Sequence, residues 1–174
     1  MPCPPDSTPR PLDHLAELAG EGGDGEAPAL VLRTRTLNHE ELRQRVARLA
    51  GWLAREVPTR GARVATWAAK GELTCLMPLA AARAGLVHVP INPLLKRAQV
   101  AHILADSGAV LLVGTPSRLA TLEDGDLPGG CTALDEAEAL AAAEAAGLEL
   151  GPSQADPNEL AAILYTSGST GRPK

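Results

Sequence analysis

From Arg63 onward, short continuous apolar runs alternate with stretches whose apolar residues recur every three or four positions. The runs Arg63 to Trp67, Leu86 to Pro90 and Ala109 to Val113 read as strands, the last in the pattern of one buried on both faces. Between them, Glu72 to Arg83 and Lys96 to Ala105 read as helices, the second turning Val100, Ile103 and Leu104 inward. Gly85 and Ser107-Gly108 are the stops. Strand, helix and strand in that order form a βαβ unit, which implies parallel pairing and a right-handed crossover. Pro78 interrupts the pattern, because a proline inside a regular helix costs about 3 kcal/mol. The expectation is a kink, or a helix whose regular part begins near Pro78.

Upstream, residues 1–11 are rich in proline and are expected to form a disordered or extended tail. Leu12 to Ala19 is weakly helical, with Leu12, Leu15 and Leu18 on one side, and Gly20 to Gly25 is an acidic loop. Ala29 to Leu32 reads as a strand, with Arg33 to Leu37 returning as its hairpin partner. The clearest helix follows. Asn38 is a good N-cap, and Glu41 stands where its carboxylate can reach back to the cap N–H. Leu42, Val46, Leu49 and Leu53 line one face of it. Arg43, Arg45, Arg48 and Arg55 lie mostly away and read as a solvated face with Glu40 and Glu41. Pro58 and Gly61 end the segment. Near the far end, Pro116 to Leu122 reads as a helical turn or two, Glu123 to Gly130 as an acidic loop and Asp135 to Ala146 as an alanine-rich helix. Leu160 to Leu164 then reads as another buried strand.

Composition narrows the choices. At 174 residues the chain has the length of one domain. A formal net charge of −5, with 2% aromatics and no Phe, argues against nucleic acid or an anionic membrane as the main partner. Cys3, Cys75 and Cys131 are far apart and show no metal or disulfide pattern, so reduced thiols in a cytoplasm are expected. Cys75, on a helix, reads as a small core residue. The amino-terminal stretch has no apolar core of a signal peptide, and no apolar run approaches the roughly 20 residues of a membrane span. His14, His39, His88 and His102 have no ligand spacing to one another or to cysteine. His88 alternates with Val87 and Val89 and reads as packed or hydrogen-bonded.

The chemistry concentrates at the end of the chain. After the final apolar run comes Tyr165-Thr166-Ser167-Gly168-Ser169-Thr170-Gly171-Arg172-Pro173-Lys174. Gly168 and Gly171 permit positive φ and close backbone approach to a ligand. Successive N–H groups in such a turn make an anion-holding concavity. Thr166, Ser167, Ser169 and Thr170 add hydroxyl donors, and Lys174 adds a point charge suited to phosphate. The common P-loop ends in Gly-Lys-Ser/Thr, and here Pro173 precedes the lysine, so the loop is of another kind.

The string YTSGSTGRPK resembles the phosphate loop of the adenylate-forming (AMP-binding) ligases. LAAARAGLVHVPINPLLKRAQVAHILADSGAVLLV and RTLNHEELRQRVARLAGWL are similar to earlier segments of the same family, most like an acyl-CoA synthetase. The resemblance implies an α/β fold, the N-terminal part of that family's large domain: a mostly parallel sheet flanked by helices, with an N-terminal hairpin, over residues 12–174. It implies a ligase in which a carboxylate attacks the α-phosphorus of ATP and a thiol then displaces AMP. Its cofactors would be ATP, Mg2+ and coenzyme A, or a carrier-protein pantetheine in its place. Its partners would be a small-molecule carboxylate and ATP, without nucleic acid or membrane span. Thr166, Ser167, Gly168, Ser169, Thr170, Gly171 and Lys174 would bind the β- and γ-phosphates. No residue here is assigned as catalytic or metal-ligating, since the family's catalytic lysine, adenine pocket and acyl pocket lie beyond the loop. The expectation is therefore a truncated sequence, inactive alone, whose partner is the remainder of the ligase. A nucleotide-binding hydrolase with a divergent loop and a non-catalytic interaction fragment are the alternatives.

Overall fold

In the computed structural model, the described residues are 9–20 and 25–166. A 3-10 helix (Leu12–Gly20) precedes a hairpin of β1 (Pro28–Val31) and β2 (Thr36–Asn38), which pair antiparallel. Then follow α1 (His39–Glu56), β3 (Arg63–Trp67), α2 (Glu72–Arg83), β4 (Val87–Pro90), α3 (Arg97–Ser107) and β5 (Ala109–Gly114). The series closes with α4 (Pro116–Leu119), β6 (Thr132–Asp135) and α5 (Glu136–Ala146).

The main sheet has the order β4-β3-β5-β6, and every neighbouring pair is parallel. Since β4 and β5 lie on opposite sides of β3, crossovers of one hand carry α2 and α3 to opposite faces. Val64, Leu111 and Val113 accordingly pack in one core with α1, α2 and α5. Ala65, Trp67, Val89 and Leu112 pack in the other with Val100, Ile103 and Leu104 of α3. Gly108 ends α3 with φ +62°, a conformation that L side chains rarely adopt, and the chain turns directly into β5.

Local signals account for α1. Asn38 Oδ1 accepts from the Glu41 N–H at 2.8 Å, and Glu41 Oε2 accepts from the Asn38 N–H at 2.9 Å. Two donors of the first turn are thereby satisfied. Val46, Leu49 and Leu53 are buried, while Leu42 is half-buried. The arginines divide. Arg43 and Arg55 pair with Glu40 and Glu56 of their own helix. Arg45 instead reaches Glu72 of α2 at 2.7 Å, and Arg48 reaches Glu144 of α5 at 2.7 Å. These two are struts between helices rather than a purely solvated face. Gly51 marks the closest approach on this side, because a Cβ there would stand 2.2 Å from the Leu148 carbonyl oxygen.

Five sequence expectations change, and one strand went unread. The 3-10 helix buries Asp13 and Ala16 and leaves Leu12 and Leu15 exposed, because Asp13 is drawn inward to Arg83. Helix α2 starts at Glu72 and runs through Pro78, so its regular part does not begin at the proline. Cys75 is exposed, as the buried face of α2 is Leu73, Leu76, Met77, Ala80 and Ala81. In β5, Val110 is exposed, so the strand is not buried on both faces along its whole length. Strand β6 went unread because it is four residues long, with Thr132 and Ala133 exposed at an edge. The run Leu160 to Leu164 forms only one bridge, Ala162 against His88, with Leu160 63% and Leu164 70% exposed. It lies outside β4, where only one side of it has a neighbour.

A buried ion pair joins three parts of the chain. The side chains of Asp13 and Arg83 are 0% and 1% exposed, with Oδ2 and Nε 3.2 Å apart. Arg83 also contacts the Glu17 carboxylate and the Leu150 carbonyl, and Asp13 Oδ2 accepts from the Ser153 N–H at 2.9 Å. Replacing Arg83 with Met strands the Asp13 carboxylate in a dry site, and removing one partner of such a pair costs about 3–5 kcal/mol. The urea midpoint of Arg83→Met should fall accordingly, with an unchanged slope.

His88 is buried on β4, its Nε2 hydrogen-bonded to Thr66 Oγ1 at 2.8 Å. Burial pushes the imidazole down from 6.5 to about 4. The native state therefore holds fewer protons than the unfolded chain between those values. Stability from this site is complete above pH 6.5 and is lost as the pH falls toward 4, by roughly 3 kcal/mol across the window. Urea unfolding between pH 7 and pH 4 should show that slope, and His88→Gln should lack it.

Candidate functional site

Parallel pairing sends the carboxyl ends of β3, β4, β5 and β6 to one edge of the sheet. In open α/β sheets that edge is where ligands bind. The segment that ends in Thr166 joins it in the same direction. The His88 N–H donates to the Ala161 carbonyl at 2.9 Å, and the Ile163 N–H donates to the His88 carbonyl at 2.9 Å. Residues 161–163 thus run alongside β4 in parallel and deliver Leu164, Tyr165 and Thr166 toward the carboxyl edge. Thr166 is exposed. Ser167, Gly168, Ser169, Thr170, Gly171 and Lys174 lie outside the described residues.

Tyr165 is half-buried against the core on the α3 face. Its hydroxyl donates to Asp106 Oδ2, near the end of α3, at 2.5 Å. Burial, reinforced by the Asp106 carboxylate, pushes the phenol up to about 12. The hydroxyl therefore keeps its proton, and its donor role, through the neutral range.

A second feature at the carboxyl edge escaped the sequence reading. The loop after β4 and the turn after β5 bound an open cleft of about 490 Å³ that includes Trp67, Lys96, Arg97, Ser117 and Arg118. Arg118 is held in place, donating from Nε to the Pro93 carbonyl at 3.2 Å and from Nη1 to Thr115 Oγ1 at 3.4 Å. Arg97 pairs with Glu123 and Asp126. Lys96 is exposed, and Trp67 is buried with an indole N–H that has no partner among the described residues. Pro93 and Leu95 complete an apolar floor, and the cations Lys96, Arg97 and Arg118 in its walls suit an anion. The available signal was positional: Lys96, Arg97 and Arg118 all stand in the segments just after strands.

The remaining histidines are dispersed. His14 Nε2 bonds the Ser153 carbonyl at 2.9 Å, His102 is exposed, and His39 lies at the start of α1. Among the described residues, no group of three His, Cys, Asp or Glu side chains is arranged to hold a metal. No described helix is long and apolar enough to cross a membrane. At the opposite, amino edge of the sheet a cavity of about 650 Å³ includes Arg60, Arg63, Val110 and Thr132 in its walls. None of the buried, unpartnered side-chain atoms of the described residues belongs to that lining.

Comparison with known proteins bears on this edge. The chain is 34% identical over 155 residues to an L-proline--[L-prolyl-carrier protein] ligase of Pseudomonas fluorescens, covering 84% of this chain and 30% of that one. It is 38% identical over 138 residues to a feruloyl-CoA synthase of an Amycolatopsis species, covering 79% and 27%. The chain thus spans less than a third of the length of either relative. In three dimensions it matches the Klebsiella oxytoca NpsA N-terminal subdomain with a TM-score of 0.77 at 21% identity, covering 96% of this chain and 40% of that one. That is a likeness of fold. The family model described as AMP-binding enzyme matches residues 19–174, from the 3-10 helix through Lys174. With its parallel sheet, its edge segment against β4 and the loop motif all inside that match, the chain belongs to the AMP-binding enzyme family.

Proposed function

We propose that residues 12–174 are the N-terminal part of an adenylating domain and that residues 1–11 are a tail outside it. In this reading Thr166, Ser167, Gly168, Ser169, Thr170, Gly171 and Lys174 hold the β- and γ-phosphates of ATP. The observation that carries the proposal is a family match that extends through this motif to Lys174. The parallel course of residues 161–163 supports it, because it aims the motif at the ligand-binding edge.

The reaction is acid–thiol ligation. A carboxylate oxygen attacks the α-phosphorus, the bond to the bridging oxygen breaks, and pyrophosphate departs from an acyl-adenylate. Charge grows on the departing oxygens, and preorganised N–H, O–H and ammonium donors stabilise it. The thiol then attacks the acyl carbon and AMP leaves. Magnesium enters as the partner of the ATP phosphates, with no described residue assigned as its ligand. We place the reaction in the cytoplasm, in keeping with thiols that show no disulfide pattern.

The relatives divide over the acceptor, one being named for a carrier protein and another for coenzyme A. The cleft of Lys96 and Arg118 favours coenzyme A here. A small nucleotide thiol brings phosphates that such a cleft can hold.

ATP–pyrophosphate exchange over a panel of carboxylates, on protein that carries this chain, tests the first half-reaction. Lys174→Ala should weaken it by the value of one charged hydrogen bond, about 1.5–3 kcal/mol or roughly ten- to hundredfold. Release of free phosphate in place of pyrophosphate would select a hydrolase instead. For the acceptor, Lys96→Ala with Arg118→Ala should raise KM for coenzyme A and leave pyrophosphate exchange unchanged. An unaltered KM would return the choice to a carrier protein.

A further inference from the structure

The segment that carries the phosphate motif is held to the sheet by little. Its ladder with β4 is one residue long, made of two backbone hydrogen bonds to His88. Ile163 is half-buried, but Leu164 is 70% exposed and Thr166 is exposed. Between that short ladder and Ser167, Tyr165 alone among the described residues has both a packed side chain and a side-chain hydrogen bond. The bond ends on Asp106, which belongs to a rigid element. Val100, Ile103 and Leu104 bury the inner face of α3, and the Ser107 hydroxyl, next to Asp106, donates to the Ile103 carbonyl at 2.7 Å.

We infer that Tyr165 is a positioning residue for the phosphate motif, its hydroxyl latched to the Asp106 carboxylate so that the loop leaves the sheet from a fixed point. Resting on the phosphate reading of residues 166–174, the inference adds to it the group that aims the loop. A donor cradle stabilises developing charge only if its root is placed to within a fraction of an ångström. Two backbone bonds fix the position of the segment along β4. Ile163 packs against the α3-side core, and beyond it the Tyr165 side chain, anchored on a different element, fixes the course of the segment. The phenol, raised well above its ordinary range, remains a donor wherever the enzyme works.

Tyr165 is the only tyrosine of the chain, which makes the latch directly observable. The experiment compares the 174-residue chain with Tyr165→Phe, Asp106→Ala and the double variant; the first keeps the ring and its packing. Amide exchange of residues 164–174 should quicken roughly five- to tenfold in each single variant, the worth of one hydrogen bond, while α1 and α2 exchange as before. The double variant should match the singles, since both remove one bond. In Asp106→Ala, the phenol ionisation followed by the Cζ carbon resonance should fall from about 12, the part of its rise that burial causes remaining. Binding of inorganic pyrophosphate should weaken in step with exchange. Unchanged loop exchange in both single variants, additive effects in the double, or a phenol that ignores Asp106 would each overturn the latch. If wild-type protein that carries this chain ignores pyrophosphate but the exchange effect is seen, the latch stands and the phosphate reading is refuted.

Discussion

Parallel pairing is the constraint from which the rest of this architecture follows. A parallel strand cannot return by a tight turn, so each strand needs a crossover, and each crossover here brings a helix or loop of its own. Strand β3 is the pivot: β4 pairs on one side and β5 on the other, and their helices are driven to opposite faces. The same arrangement gathers the ends of the strands at one edge. Trp67, Gly114 and Asp135 stand there in one register row, and the turns beyond them carry Lys96, Arg97 and Arg118. A concentration of donors at that edge is thus a consequence of topology before it is a matter of any one residue.

Function and stability are kept apart in this layout. The buried Asp13–Arg83 pair ties the first helix to α2 and to the 150–153 turn. Arg45 and Arg48 brace α1 against α2 and α5. These charges are consumed in holding the scaffold. At the carboxyl edge, in contrast, Lys96 has no ion pair among the described residues and the Trp67 indole N–H goes unused. Lys96 is exposed and open to an anion from outside the protein, whereas the buried pairs hold the scaffold.

Legibility in the sequence followed the range of the interactions involved. The start of α1 was readable because Asn38 and Glu41 satisfy each other within one turn. The βαβ pattern was readable because the periods of strands and helices are local. The motif of residues 165–174 stood out because its glycines and hydroxyls are consecutive. What could not be read depends on distant partners. Nothing near Asp13 says that it will meet Arg83, and so the inward face of the first helix came out reversed. Nothing near Tyr165 names Asp106, and the cleft of Lys96 and Arg118 exists only once β4 and β5 end side by side with β3 between them. Strand β6 was missed for a different reason: its neighbour β5 makes it a strand, and its own four residues do not.

The pairing of residues 161–163 with His88 has a consequence for how the protein is made. Strands β3 to β6 precede that segment in the chain and can be complete while it is still inside the ribosome. His88 then presents an open backbone edge until residues 161–163 emerge and dock. Completion of that edge therefore follows β3 to β6 in vectorial synthesis, after the strand that must receive residues 161–163 has set.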